Sequence, residues 1–407
     1  IGSFVEIPVG FNPYQVSAPV TKNGVQYMYV ANQGAHSVSV IRLSDKTLVN
    51  TIQTGDEPYG LTLVALNGIT YVYVANTLSN TVTVINTATD TVAATIPVGI
   101  KPYYVERIGT MVYVTNGQSN TVSVINSATN TVTETIPVGI YPRGIKALGN
   151  NLYVANYGDP NYGGGNSVSV IDAQTNTVTN TILLPLGVHG PRGVTVAGTT
   201  VYVTAYRTNQ IIVINSTTNA VTALIPVGRG PRGVAVVGQM LYVENFDEGT
   251  ISIIDRQTNT VIKTIFVGHS PAGMGVAGTD IYISRFQDNR LSILDTTTNT
   301  LRSNFDVTAP DIQGLEVVIK RQEAIFTWQT DEPADSLLEY GPTEAFGKMA
   351  SRSALTTDHS LTTVTLKPRK YFYRISSADA AGNRRYSEVS TFVIKEGRIF
   401  GEFGSEF

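Results

Sequence analysis

Seven glycine-rich turns of this 407-residue chain end in a proline, and the residue after each proline is where chemistry could gather. In chain order that slot holds Tyr14, Tyr59, Tyr103, Arg143, Arg192, Arg232 and Ala272. Three phenols are followed by three guanidiniums. A guanidinium is a planar, permanently charged fork that suits carboxylate, phosphate or sulfate, and tyrosine faces suit sugars and other rings. If the turns share one face of the fold, these residues form a funnel with one aromatic and one cationic arc. Such a funnel predicts a small anion or a glycan as ligand. The plainer reading ties each arginine to carbonyls of a neighbouring unit, as a feature of the repeat itself.

Proton transfer or metal chemistry would need more. Only four histidines occur, His36, His189, His269 and His359. His189 and His269 each stand two residues before a turn proline, and Glu106 and Glu244 are the acids that could partner them. A metal-dependent lyase resembling the virginiamycin-inactivating propellers would need such a set, but no motif joins these residues, so no catalytic residue is assigned. His36 and His359 are expected in a turn and at the surface. The chain has no cysteine, which removes disulfides, thiolate nucleophiles and cysteine metal sites. It also lacks the Cys-x-x-Cys-His of haem attachment, and no cofactor is expected. An insertion, YGDPNYGGGN from Tyr157 to Asn166, offers Asp159, Asn161 and Asn166 as oxygen ligands for calcium. Their spacing matches no calcium loop. Gly163 to Gly165 lacks the lysine and the helix of a phosphate loop, so a surface loop is the simpler account.

The slot recurs because the whole chain repeats. Each unit reads as a turn, a short apolar strand, a Gly-Asn-type turn, a strand such as LYVAN, a strand such as NSVSVID, and a TNT-containing turn into a fourth strand. The second-strand tyrosines, Tyr29, Tyr73, Tyr113, Tyr153, Tyr202, Tyr242 and Tyr282, are spaced by 44, 40, 40, 49, 40 and 40 residues. Seven copies of a four-strand unit at this period predict a seven-bladed propeller. Val, Ile, Thr and Tyr dominate, and Thr121-Val122-Ser123-Val124-Ile125 alternates as half-buried antiparallel strands do. The third turn (NSATNT at Asn126, DAQTNT at Asp172, DRQTNT at Asp255, DTTTNT at Asp295) uses Asn and Asp, which cap their own backbone and tolerate left-handed geometry. FVEIPV, Phe4 to Val9, matches the end of a fourth strand and is expected to close the ring in the last blade. Thr300 to Val307 could fill the same place, and the order of the two stays open.

The unit resembles the YVTN-repeat family. VYVTN stands at Val112 to Asn116, with YVYVAN, LYVAN and LYVEN in other copies, over roughly residues 4 to 306. The resemblance implies a seven-bladed propeller of the kind found in archaeal surface-layer proteins and in secreted or periplasmic bacterial proteins. Copies five and seven depart from it, with TAY at Thr204 and SRF at Ser284. After Asp306 the repeat stops while alternation continues. TWQTDEPADSLLEYG, the Leu-Lys-Pro turn before YFYRI and the DAAGN turn resemble a fibronectin type III domain, with Trp328 in its core. The expected organisation is an all-β chain: a seven-bladed propeller over 1–306, a small fibronectin type III-like β-sandwich over 307–396, and a C-terminal tail or cloning scar over 397–407.

Charge is sparse, at 14% of residues with a net value of −3, so no basic field is available for nucleic acid. No apolar run approaches the length of a membrane span, and no membrane insertion is expected. The sequence therefore predicts a non-enzymatic protein of the cell surface or extracellular space, or of the periplasm. Its propeller would be a rigid platform for other surface proteins or copies of itself, and its sandwich a spacer or docking module. The alternative is a propeller enzyme or receptor that takes a small anion or glycan in the funnel.

Overall fold

The computed structural model describes residues 6–158, 166–302, 310–378 and 384–395. The chain divides into two compact units, one of them Val5–Arg302 and the other containing Ser303–Phe407. The expected boundary at 306 and the C-terminal tail lie outside the described residues. Every regular element described is a β-strand, and no helix is long and apolar enough to cross a membrane.

The first unit is a seven-bladed propeller, and its third blade shows the repeating plan. Pro102–Ile108, Met111–Asn116, Thr121–Asn126 and Thr131–Pro137 pair in sequence order, all antiparallel. The first strands of successive blades contact one another around a closed ring. Between the blades lie seven apolar seams. The seam of blades three and four, for example, joins Val122, Val124 and Ile136 to Ile145, Leu152 and Val154. Removing each such side chain from water contributes about 1.5–3 kcal/mol.

The middle strands are not half-buried, as their alternation suggested. Ser123, a polar member of the pattern, is buried alongside Val122 and Val124, because each blade has a neighbour on both faces. Only the outer strand is exposed; in Thr131–Pro137 Ile136 alone is buried. The amide nitrogen of the recurrent buried Asn is paired inside the blade: Asn116 Nδ2 donates to Ser123 Oγ at 2.9 Å. The same bond recurs from Asn32 to Ser39, Asn76 to Thr83, Asn156 to Ser169 and Asn245 to Ser252.

Two chain segments share the outermost place in the seventh blade. Thr300–Leu301 pairs with one end of the third strand, Arg290–Asp295, and Ile7–Pro8 pairs with its other end. They are the two halves of one outer strand laid end to end, which resolves their order. Ile7 is buried in the seam with Met28, Val30 and Leu291. Glu6 adds ion pairs to Arg285 and to Arg290, the latter at 3.0 Å. Arg285 occupies the place that the recurrent Asn holds in other blades, so the SRF departure serves closure.

The second unit is a sheet of six strands, described by itself. Ile312–Lys320, Glu323–Gly341, Lys348–Thr362, Arg369–Ala378, Arg384–Tyr386 and Ser390–Ile394 hydrogen-bond as one continuous sheet. The sheet curls on itself: Phe326, at one end of the longest strand, meets the ring of Tyr373 from another strand with centroids 4.8 Å apart. Trp328 is in this core, as expected. His359 is not a surface residue. It stacks on Trp328 with centroids 5.0 Å apart and is bonded to Thr330 and Ser336.

Candidate functional site

The slot after each turn proline opens the first strand, and all seven first strands line the ring's axis. Residues far apart in sequence therefore meet at one mouth of the channel. Tyr14, Tyr59, Tyr103 and Ala272 form one buried cluster there. Arg192, from blade five, reaches across to blades one and two, and its Nη2 donates to Tyr14 Oη at 2.8 Å and Tyr59 Oη at 2.5 Å. The two phenol oxygens are themselves in a very short contact, with their rings 3.7 Å apart. Arg143 Nη1 donates to Tyr59 Oη at 3.3 Å, and its guanidinium lies 3.8 Å from the centre of the Tyr103 ring. Arg232 lies 3.1 Å from the centre of the Phe246 ring. The two arcs thus interlock into a plug, and the arginines are held by phenol oxygens and ring faces.

A second set of aromatic side chains continues the first around the mouth, and sequence reasoning missed it. It comes from the residue after the recurrent Asn position: Tyr157, Tyr206, Phe246 and Phe286 in blades four to seven. Blades one to three carry Gln33, Thr77 and Gly117 there. Each blade therefore supplies one aromatic ring, from one slot or the other. In blade three the two slots exclude each other sterically, since a Cβ on Gly117 would meet the Tyr103 ring at 2.5 Å. The signal lies in the repeat itself, as an aromatic residue directly after the recurrent Asn position in blades four to seven.

Burial and charge pull the phenols apart. Burial raises the Tyr14 pKa above the ordinary tyrosine value. Burial also acts to raise Tyr59, but Arg192, Arg143 and Arg232 outweigh it and bring that phenol down to about 8. Two carboxyls stand in this neighbourhood: Asp247, whose Oδ1 accepts from Tyr206 Oη at 3.3 Å, and the buried Glu244. Burial pushes Glu244 up to about 8, against the Gly233 N–H and the charges of Arg232 and Arg192. Its Oε2 accepts from Gly233 N at 3.0 Å, while Oε1 is buried without a partner.

Glu244 stands where blades three and five have the Thr of the VYVTN motif and blade seven has Ser284, and in those blades that residue stitches neighbours together. Thr204 Oγ1 accepts from Gly193 N at 2.8 Å and donates to Arg232 O, in the next blade, at 2.9 Å. Thr115 bonds Tyr104 N and Arg143 O in the same way, and Ser284 donates to Tyr14 O. The motif tyrosine is a second stitch. Tyr73 Oη donates to Asn130 Oδ1 at 2.6 Å and Tyr113 Oη to Asn176 Oδ1 at 3.0 Å, each in the following blade's TNT turn. Those turn residues have positive φ, 54° at Asn130 and 52° at Asn176.

Behind the plug the channel holds a cavity of about 310 Å³. Gln15, Tyr104, Thr195 and Met274 line it, with Glu106 and Lys146 paired at 2.7 Å. The histidines lie elsewhere. His189 Nδ1 is bonded to the Asn166 amide, and His269 Nδ1 lies 3.0 Å from Asp288. His36 sits in a left-handed turn and its Nδ1 accepts from Glu57 N. Of the calcium candidates, Asn166 spends its amide on His189 and Gly190, while Asp159 and Asn161 lie outside the described residues. Among the described residues no group of three or more His, Asp or Glu side chains is arranged to hold a metal ion.

No protein-family model and no curated protein sequence matches the chain. Among solved structures, a chain of Kuenenia stuttgartiensis hydrazine synthase is similar, with a TM-score of 0.63 and 18% identity. The match covers 70% of this chain and 96% of that one. At that identity the likeness concerns the propeller fold alone.

Proposed function

We propose that this chain is a non-enzymatic interaction protein of the cell surface or extracellular space, with a YVTN-type propeller as its binding platform. The observation that carries this reading is an arc of bare apolar side chains at the turn tips of the plugged face. Phe11, Ile100 and Ile140 hold the same place, directly after the turn glycine of blades one, three and four, and are 58%, 49% and 42% exposed. Leu78, whose amide bonds the carbonyl at that place in blade two, is 54% exposed. Leu186, on the lengthened fifth turn, is fully exposed. Exposed apolar side chains on the turn tips of five successive blades suit association with a partner surface. The ring behind it is stitched at every seam, so the tips are presented on a rigid base. The second unit, on its alternating strands and Trp328 core, is assigned to the fibronectin type III-like group, as spacer or docking module.

The lyase-like alternative draws little from the histidines, which are engaged by Asn166, Glu57, Asp288, Thr330 and Ser336. The test is protease shaving of intact producing cells, combined with a variant carrying Phe11→Ser, Ile100→Ser and Ile140→Ser. The chain should be digested from intact cells, and the variant should fold but pass into the medium. Protection from protease, or unchanged retention of the variant, would overturn the reading.

A further inference from the structure

The plug leaves a charge problem. Arg143, Arg192 and Arg232 converge on one mouth: Arg143 and Arg192 both donate to the Tyr59 oxygen, and Arg192 and Arg232 flank the Tyr206 ring at 5.2 and 5.7 Å. Among the described residues none of the three forms an ion pair with a carboxylate, although nine other lysine and arginine side chains do. The Nε of each is buried without an acceptor. Glu244 does not neutralise them, since its burial favours the protonated form. The excess is felt locally, because the same guanidiniums draw the Tyr59 phenol down to about 8.

The surroundings narrow the anion that would answer it. Arg192 is buried, but Arg143 and Arg232 are half-buried at the rim. Around them stand Tyr141, Tyr206 and Phe246, also half-buried, with Tyr157 behind. Aromatic faces beside guanidiniums take an apolar ring face together with a carboxylate, and the phenols add hydrogen-bonding edges for hydroxyls. Inorganic phosphate would leave the ring faces unused, and a neutral sugar would leave the cations unpaired.

We propose that this mouth binds a carboxylated sugar, a uronic acid unit of an acidic glycan, with its carboxylate among the rim guanidiniums and its ring face on the rim aromatics. The site stands on its own residues and does not depend on the apolar arc of the turn tips.

The test is calorimetric titration of the full chain near pH 7 at low salt with galacturonic acid trimer, galactose and inorganic phosphate. The trimer should bind, and galactose and phosphate should each bind at least about tenfold more weakly. Arg143→Gln and Arg232→Gln should each weaken the trimer by at least about tenfold while the melting curve stays cooperative. Should either glutamine variant fail to fold, Arg143→Lys keeps the charge, loses the fork, and should still weaken the trimer. Failure of the trimer to bind at millimolar concentration, equal binding of galactose or phosphate, or folded variants with parental affinity would each overturn the proposal. None of these outcomes bears on cell-surface retention, so the platform reading is judged separately.

Discussion

Single positions in this repeat have meanings that only the folded ring explains. The Thr of VYVTN joins a first strand to the first strand of the next blade, and Glu244 takes that place with a carboxyl. Thr204→Val should remove two buried hydrogen bonds, to Gly193 N and Arg232 O, and destabilise the chain by about 1–3 kcal/mol. Equal melting of the variant and the parent would show that the stitch contributes nothing. Glu244 has the opposite sign at neutral pH. Its folded pKa is about 8 against an ordinary 4.5. Below 4.5 both states hold the proton. As pH rises from about 4.5 to 8 the unfolded chain loses it while the folded chain keeps it, so stability falls across that window and then levels off. Glu244→Gln should therefore gain on the parent between those pH values, by several degrees in melting temperature at pH 8. A difference that does not change with pH would contradict this.

At the scale of elements, the seventh blade is the telling case. Its outer strand is assembled from both ends of the propeller segment, with Ile7 buried against Leu291 and Glu6 paired with Arg285 and Arg290. Ile7→Ala should cost about 2–4 kcal/mol, and removing residues 1–9 should lower the melting temperature by several degrees. An unchanged melting curve after the deletion would mean that Thr300–Leu301 closes the ring unaided. Much of this was legible in advance. FVEIPV matched a fourth strand out of place, and seven tyrosines at a near-constant period announced seven blades. What could not be read was the end-to-end sharing, because two candidates for one strand look like competitors until both are seen on the same edge. The middle strands were misread for a related reason: Ser123 looks solvent-facing by alternation, but in a propeller both faces of a blade meet neighbours. The convergence of Tyr14, Tyr59, Tyr103, Arg143, Arg192 and Arg232 followed from repeat position alone. Their interlocking did not, because the length of an arginine lets it cross the axis and bond the far arc.

The whole molecule matters because the plug exists only when the ring is closed. Arg192 of blade five touches Tyr14 and Tyr59 of blades one and two, and no local segment could place them together. The electrostatic consequence is also collective: three guanidiniums from three blades lower one buried phenol that burial alone would raise. The other shifted tyrosines, Tyr29, Tyr73, Tyr104 and Tyr113 among them, move upward because burial dominates. The most direct measurement is an ultraviolet pH titration of tyrosinate absorbance in the intact chain and in Tyr59→Phe. The ring described here predicts one phenol that titrates near pH 8 in the parent and is missing from the variant. A parent in which every tyrosine titrates at or above about 10, with a difference spectrum that is flat near pH 8, would contradict the convergence of the three arginines on Tyr59.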